Sequence, residues 1–189
     1  MKIEMDMKKI IFAIAALAAM LPAVRAQEEA PVRIPSGYRA FVQQETLYRL
    51  EKTDDKRSMM GITTTHGFYF NDHCYIGIGF GFVGGNGFFA MPVFTSLMWN
   101  MSYSSSVSPL MQVRLGSYLG DGNGAYGDFG LGVRFGSKKR FAVNVMAVFS
   151  FYEETTVEER TYDAALGYHI YNKKDFNPTS AGLRIGIEF

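Results

Sequence analysis

Apolar and polar residues alternate with a period of two along most of the chain. The clearest stretch runs from Cys74 to Val83, where bulky apolar residues alternate with glycines. On a β-strand this spacing gives one bulky face and one nearly bare face, whereas on a helix both residue types would spread around the axis. The stretch is therefore predicted to be a strand, with these residues on its bulky face: Ile76, Ile78, Phe80 and Phe82.

Seven further segments carry the same alternation, so the chain is predicted to contain eight strands of about ten residues each. Four are as clear as the first, and they lie at 111–119, 128–136, 141–151 and 182–189. Three have weaker contrast, at 38–50, 61–70 and 88–101. The last of these contains Pro92, which removes a ladder donor, so a bulge or local irregularity is expected there.

The bulky faces are predicted to contact lipid. No Asp, Glu, Lys or Arg occurs from His73 to Val113, although a soluble sandwich would place polar groups on one face of these strands. An apolar exterior with a polar interior is typical of transmembrane barrels, in which closure satisfies every backbone group. The alternating glycines and the break at 84–87 disfavour a transmembrane helix hairpin, the main structural alternative.

The opposite faces carry a coherent set of charged residues. An eight-stranded barrel has room for side chains but not for an open channel, and buried charges must pair because burying one alone is costly. We therefore predict a plugged, ion-paired interior, with a gated conduit as the alternative. The predicted interior polar set is Arg39, Glu45, Arg49, Arg114, Asp128, Arg134, Arg184 and Glu188.

The lengths of the connections agree with a barrel whose two ends are periplasmic. The predicted periplasmic links at 71–72, 102–108 and 136–140 are short. The predicted outward links lie at 52–57, 84–87, 121–124 and 153–179, and the last is the longest and most charged. Its tyrosines among charges suit a surface that binds a ligand, although a simple solvated extension of the flanking strands would look similar.

The N-terminus is predicted to be a cleavable signal peptide over residues 1–26. Lys8 and Lys9 precede a short apolar run, and Val24 and Ala26 suit the −3 and −1 positions of signal peptidase. A short periplasmic leader would follow at 27–36, and the barrel domain at 37–189. The signal holds four of the 19 basic and two of the 18 acidic residues, so the mature chain carries a formal charge of −1. This balance provides no footprint for nucleic acid.

Five segments resemble a known family. The ending from Gly182 to Phe189 looks like the C-terminal assembly signal of Gram-negative outer-membrane barrels, with alternating apolar residues and a terminal phenylalanine. The segments 37–42 and 63–71, the glycine-alternating third strand and the segment 92–94 resemble small outer-membrane barrels of the Bacteroidota, of the OmpA/OmpX type. The resemblance implies an eight-stranded antiparallel up-and-down barrel in the outer membrane, surrounded by lipids and lipopolysaccharide. It also implies that the barrel-assembly machinery reads Phe189.

The candidate chemical motifs are weak. The Gly79–Gly84 segment matches G-x-G-x-x-G, but a strand follows where a dinucleotide site needs a helix. The Asp121 segment begins like a calcium loop and then lacks the later ligands. The three histidines do not have metal-ligand spacing, and the single cysteine, Cys74, cannot form an internal disulfide. No cofactor, metal or catalytic site is therefore expected.

The sequence predicts a non-enzymatic, monomeric outer-membrane barrel that serves envelope integrity or surface interaction through its extracellular loops. The alternative is a barrel enzyme that modifies lipid A or phospholipid, for which His66 is the candidate residue. A soluble periplasmic ligand-binding barrel is a third possibility, and it would require the bulky stripes to face inward.

Overall fold

The computed structural model describes residues 36–50, 58–71, 73–85, 88–101, 107–120, 124–136, 141–163, 168–176 and 179–189. The predicted signal peptide and nearly all of the predicted leader lie outside these residues. In the described part, no helix is long and apolar enough to cross a membrane. The strands in chain order are β1 (Gly37–Arg49), β2 (Ser58–Tyr69), β3 (Cys74–Gly85), β4 (Phe88–Asn100), β5 (Val107–Gly120), β6 (Gly124–Gly136), β7 (Ala142–Tyr152), β8 (Glu154–Asp163), β9 (Tyr168–Phe176) and β10 (Thr179–Glu188).

Eight of these strands form a closed barrel in the order β1-β10-β7-β6-β5-β4-β3-β2. Every neighbouring pair is antiparallel, and the first and last strands close the ring, with Phe41 opposite Glu188 and Arg49 opposite Ser180. Apart from the β8–β9 excursion, the barrel strands follow one another around the ring in chain order. The predicted all-β, eight-stranded antiparallel up-and-down barrel is confirmed.

The predicted connection at 153–179 contains the two additional strands. β8 and β9 pair only with each other, from Glu154 opposite Phe176 to Asp163 opposite Tyr168. The prediction that the longest connection lies here holds. Of the two alternatives for it, the separate pairing of β8 with β9, directly after β7 and before β10, is closer to the extension of the flanking strands than to a loop without strands. Its threonines, valine and tyrosines favour strands even without an apolar stripe.

Side chains alternate between the exposed outer face and the buried interior, as the sequence pattern predicts. On the outer face, Ile62 and Ile78 are 60% and 67% exposed, whereas inside the barrel Arg114 and Arg184 are fully buried. In the second strand, His66 is exposed between buried neighbours and lies on the outer face. The barrel is therefore apolar outside, and its interior combines the buried charged residues with apolar and aromatic side chains such as Leu47, Met146 and Phe94.

The bare glycine face of β3 is filled by aromatic rings. A side chain at Gly79 would begin 2.4 Å from the Phe94 ring, and one at Gly77 would begin 2.4 Å from the Tyr75 hydroxyl. Gly79 and Phe94 are direct cross-strand partners. The glycines therefore make room for bulky interior groups, which pack the barrel instead of leaving a pore.

Pro92 disturbs the ladder without shifting it. Pairing between β3 and β4 omits Gly81 and Phe82, and it resumes in the same register from Val83 opposite Ala90. On its other side Pro92 stays paired with Tyr118. The irregularity expected at this proline is present, and no bulge accompanies it.

Candidate functional site

The structure places the eight predicted interior residues on the inner wall. Seven are buried, and Arg49 is half-buried near the end of the barrel that leads to the β8–β9 hairpin. We call this the hairpin end, and the opposite end, where β1 begins and β10 finishes, the terminal end. The residues fall into three groups along the barrel, one central and one near each end.

The central group is a charge-balanced network of two arginines and two carboxylates. Arg184 donates to Glu45 Oε2 at 2.8 Å and to Asp128 Oδ2 at 2.7 Å. Arg114 donates to Asp128 Oδ2 at 2.8 Å and to Glu45 Oε2 at 2.5 Å. All four side chains are buried, so each charge depends on the others for the stabilisation that water would otherwise provide.

This central network crosses the lumen. Glu45 lies on β1 and Arg114 on β5, and these two strands stand on opposite sides of the eight-stranded ring. A second link follows the same route, since Gln43 on β1 donates to Gln112 on β5 at 3.3 Å. Side chains from opposite walls thus meet at hydrogen-bonding distance, so the lumen is closed at this level. Conduction through a gate would require these bonds to break.

The group near the terminal end is an arginine–glutamate cluster. Arg134 donates two hydrogen bonds to Glu188, of 2.7 and 3.1 Å. Arg39 Nε lies 3.6 Å from the same carboxylate. An aromatic layer lies beside this cluster and fills the lumen. In this layer Tyr75 contacts both Phe41 and Tyr69, with ring centroids about 5 Å apart. This end is therefore also filled.

At the hairpin end, Arg49 donates to the Tyr152 hydroxyl at 2.6 Å. Tyr118 stands between two other tyrosines, with ring centroids 4.7 Å from Tyr126 and 5.6 Å from Tyr152. Tyr126 in turn donates its hydroxyl to Asp128 at 2.7 Å and connects this aromatic layer to the central network. Arg114 lies over the Phe94 ring at 4.5 Å.

The predicted interior set names charged residues only, and the structure adds neutral members to the plug. Tyr126, Gln43 and Gln112 are buried and bonded to charged or polar interior groups, as are Thr63 and Ser96. The alternation of each strand is the sequence signal that identifies them, because each occupies an inward position of its strand. Several other inward groups, Asn144 and Ser150 among them, make no hydrogen bond within the described residues.

Phe189 lies just past β10, where its backbone continues the closing ladder. It exchanges two hydrogen bonds with Ala40, of 2.9 and 3.0 Å, while its side chain stays exposed on the outer face. Its position agrees with a strand end accessible to another protein. Recognition of Phe189 by assembly machinery stays a prediction.

On the outer face, His66 sits between two hydroxyl groups. Its Nε2 lies 3.0 Å from Thr64 Oγ1, and its Nδ1 lies 2.5 Å from the Tyr38 hydroxyl. A hydroxyl, an imidazole and a second hydrogen-bonding group in a row are the elements of an activated nucleophile. The surrounding backbone of β2 is paired with β1 and β3 on both sides, so no ladder N–H is available there to stabilise an oxyanion.

The described residues contain no group of three or more His, Cys, Asp or Glu side chains arranged to hold a metal ion. The Gly79–Gly84 motif forms part of β3 and leads into β4, so no helix follows it to hold a pyrophosphate. The calcium-like segment begins at 121–123, outside the described residues, and from Gly124 onward it belongs to β6.

The fold is similar to that of Neisserial surface protein A. The crystal structure of that protein matches with a TM-score of 0.59 at 10% sequence identity, covering 82% of this chain and 98% of that chain. The N-terminal β-barrel domain of OprF from Pseudomonas aeruginosa matches with a TM-score of 0.44 at 11% identity, covering 82% and 100%, too low a score for any argument. No family model and no curated protein matches the sequence. The likeness therefore shows the fold alone, that of a closed barrel similar to outer-membrane barrels.

Proposed function

We propose that this chain is an integral outer-membrane barrel with a permanently plugged interior. The observation that carries the proposal is the exposed apolar belt around a buried network of charges. In water, such a belt would expose isoleucine and phenylalanine side chains on every side, far beyond the apolar patches that soluble monomers tolerate. Aromatic residues border the belt at both ends, as in transmembrane barrels: Tyr38, Phe68, Trp99 and Phe141 at one end, and Tyr48, Phe82, Phe89 and Phe151 at the other.

Fractionation and heat-modifiability test this proposal. The protein should sediment with outer membranes, require detergent for extraction, and migrate differently on a gel before and after boiling. Trp99 adds a second readout, because it is the only tryptophan of the chain and lies half-exposed on the outer face. In vesicles, brominated acyl chains should quench its fluorescence. Recovery in the soluble fraction, with Trp99 open to an aqueous quencher, would exclude the membrane assignment.

We further propose that the barrel serves envelope integrity or surface interaction through its connections, with the β8–β9 hairpin as the working part. The barrel ladder continues to Glu153, which donates to Ala125 at 2.8 Å, and to Thr179, which accepts from Leu50 at 2.9 Å. Between these points the hairpin strands pair only with each other. Barrel closure therefore does not use the hairpin, which leaves it free to contact a ligand.

Replacing residues 156–176 with a tight turn tests the role of the hairpin. Glu153 and Thr179 are kept, so the shortened chain should still be heat-modifiable. In a deletion strain, the full chain should restore surface binding and correct any envelope phenotype. The shortened chain should do neither. A shortened protein that does not assemble, or that restores every phenotype, would contradict the proposal.

The Thr64–His66–Tyr38 row supports a second candidate, an enzyme acting on lipid at the outer face. The missing oxyanion donors make it the weaker proposal. Lipid analysis of a strain carrying His66→Ala separates the two, with His73→Ala as the matched control. A lipid change seen with the first variant and not the second would favour the enzyme.

A further inference from the structure

Gln44 places a polar amide on the otherwise largely apolar outer face of the barrel. Along β1 the outward residues begin with Tyr38 and end with Tyr48, and Gln44 is exposed between them. At about 3.3 Å per residue and a strand tilt of about 40°, Gln44 lies roughly 15 Å from the first tyrosine and 10 Å from the second. If the tyrosines mark the two membrane interfaces, the amide lies near the middle of the hydrocarbon layer.

The surroundings of Gln44 offer it no hydrogen bond. Its direct neighbours across the ladder are Ile62 on β2 and Ile185 on β10. Within the described part of the chain, its side-chain amide has no partner. His66 is different, because both of its ring nitrogens are within hydrogen-bonding distance of hydroxyl groups. The imidazole is satisfied on the barrel's own surface, and the glutamine is not.

We propose that the outward face of β1 is the contact surface of a two-fold symmetric dimer, with Gln44 against Gln44 of the second copy. This inference rests on the proposed membrane insertion. A primary amide carries both donors and an acceptor, so two copies related by a two-fold axis can exchange a reciprocal pair of hydrogen bonds. Thr46, the next outward residue of β1, adds a hydroxyl beside the axis, and its small side chain permits close approach.

A second copy fits better than any other occupant of this surface. Acyl chains have no group that bonds an amide, and lipid headgroups lie near the tyrosines, not at the depth of Gln44. A different protein would have to supply a polar group at the same height, whereas this chain supplies one by symmetry. The proposal replaces the monomer expected from the sequence, which took no account of the outward register of Gln44.

Energy transfer between donor- and acceptor-labelled protein in vesicles measures the association as the lipid-to-protein ratio is raised. The unmodified chain should give a concentration-dependent dimer. Gln44→Leu should raise the dissociation constant of this dimer roughly tenfold, the effect expected from the loss of two side-chain hydrogen bonds between membrane-embedded segments. The matched control is Thr95→Leu, which also removes an outward polar group near the middle of a strand, but on β4, three strands away. It should leave the association unchanged.

Cross-linking locates the axis. In a Cys74→Ser background, Gln44→Cys should form an oxidised dimer in the membrane, and Thr95→Cys should not. Vesicle flotation and heat-modifiability are measured on the same samples, so failure to insert, which would refute the proposed function, is distinguished from failure to pair. Inserted protein that stays monomeric at every ratio would overturn the inference. So would a dimer that Gln44→Leu leaves intact, or a cross-link found at Thr95→Cys instead.

Discussion

Arg184 is the cation whose loss should weaken the barrel most. It is fully buried and donates to Glu45, Asp128 and Gln112. Methionine is of similar length, so Arg184→Met keeps much of the volume but leaves two buried carboxylates to share Arg114. Removing one partner of a buried ion pair costs about 3–5 kcal/mol. We expect the free energy of unfolding to fall by that amount.

A charge-balanced double variant separates the electrostatic cause from a loss of packing. Arg184→Met combined with Glu45→Gln leaves one guanidinium and one carboxylate at the centre, so it should recover at least about 2 kcal/mol of the loss. Leu183→Met, on the neighbouring outward position, is the control and should cost less than about 1.5 kcal/mol. Urea unfolding of refolded protein in detergent, followed by Trp99 fluorescence, provides the free energies. The explanation is refuted if the double variant is no more stable than Arg184→Met, or if Arg184→Met unfolds like the parent.

Three further predictions concern the outer face, the last residue and the N-terminus. Ile185→Arg should cost about 2–4 kcal/mol in a bilayer, because it places a charge near the midplane; an unchanged unfolding curve in vesicles would mean that this face does not meet lipid. Deleting Phe189 should lower the folded yield in cells more than refolding in detergent, and equal losses would restrict the residue to stability. Intact-mass measurement of envelope protein should show a mature chain that begins at Gln27, and an unprocessed N-terminus would contradict cleavage after Ala26.

The sequence predicts the barrel well because side-chain direction in a strand depends on local spacing alone. Arg134 and Phe135 differ by one position, and the structure places the first inside and the second outside. The same parity locates the whole interior polar set. It also places His66 outside, where both nitrogens of the imidazole lie within hydrogen-bonding distance of a hydroxyl group, those of Tyr38 and Thr64.

Contacts across the lumen could not be predicted in this way. Glu45 and Arg114 are 69 residues apart, and they meet because strand stagger brings them to one level of the barrel. Parity identifies both as inward but does not give their heights, so the sequence could not say which charges pair. That β8 and β9 form a separate pair of strands could not be predicted for a different reason. This hairpin pairs outside the barrel's sheet, so its strands do not need an apolar stripe, the signal on which the prediction of strands depended.

Hydrogen bonds between opposite walls at the centre of the barrel limit what its interior can do, transport through the lumen above all. The Glu45–Arg114 contact and the Gln43–Gln112 contact both span the lumen. Separating these walls would also break the Arg184–Asp128 contact, so each of the four charges would lose one of its two ion-pair partners in a low-dielectric interior. Opening a path therefore carries a large free-energy cost. On the proposed function, activity then belongs to the surfaces, either the outer wall or the connections. There the chain departs from a minimal barrel, with an unsatisfied amide at Gln44 and the His66 row on the outer wall and a separate hairpin at 154–176.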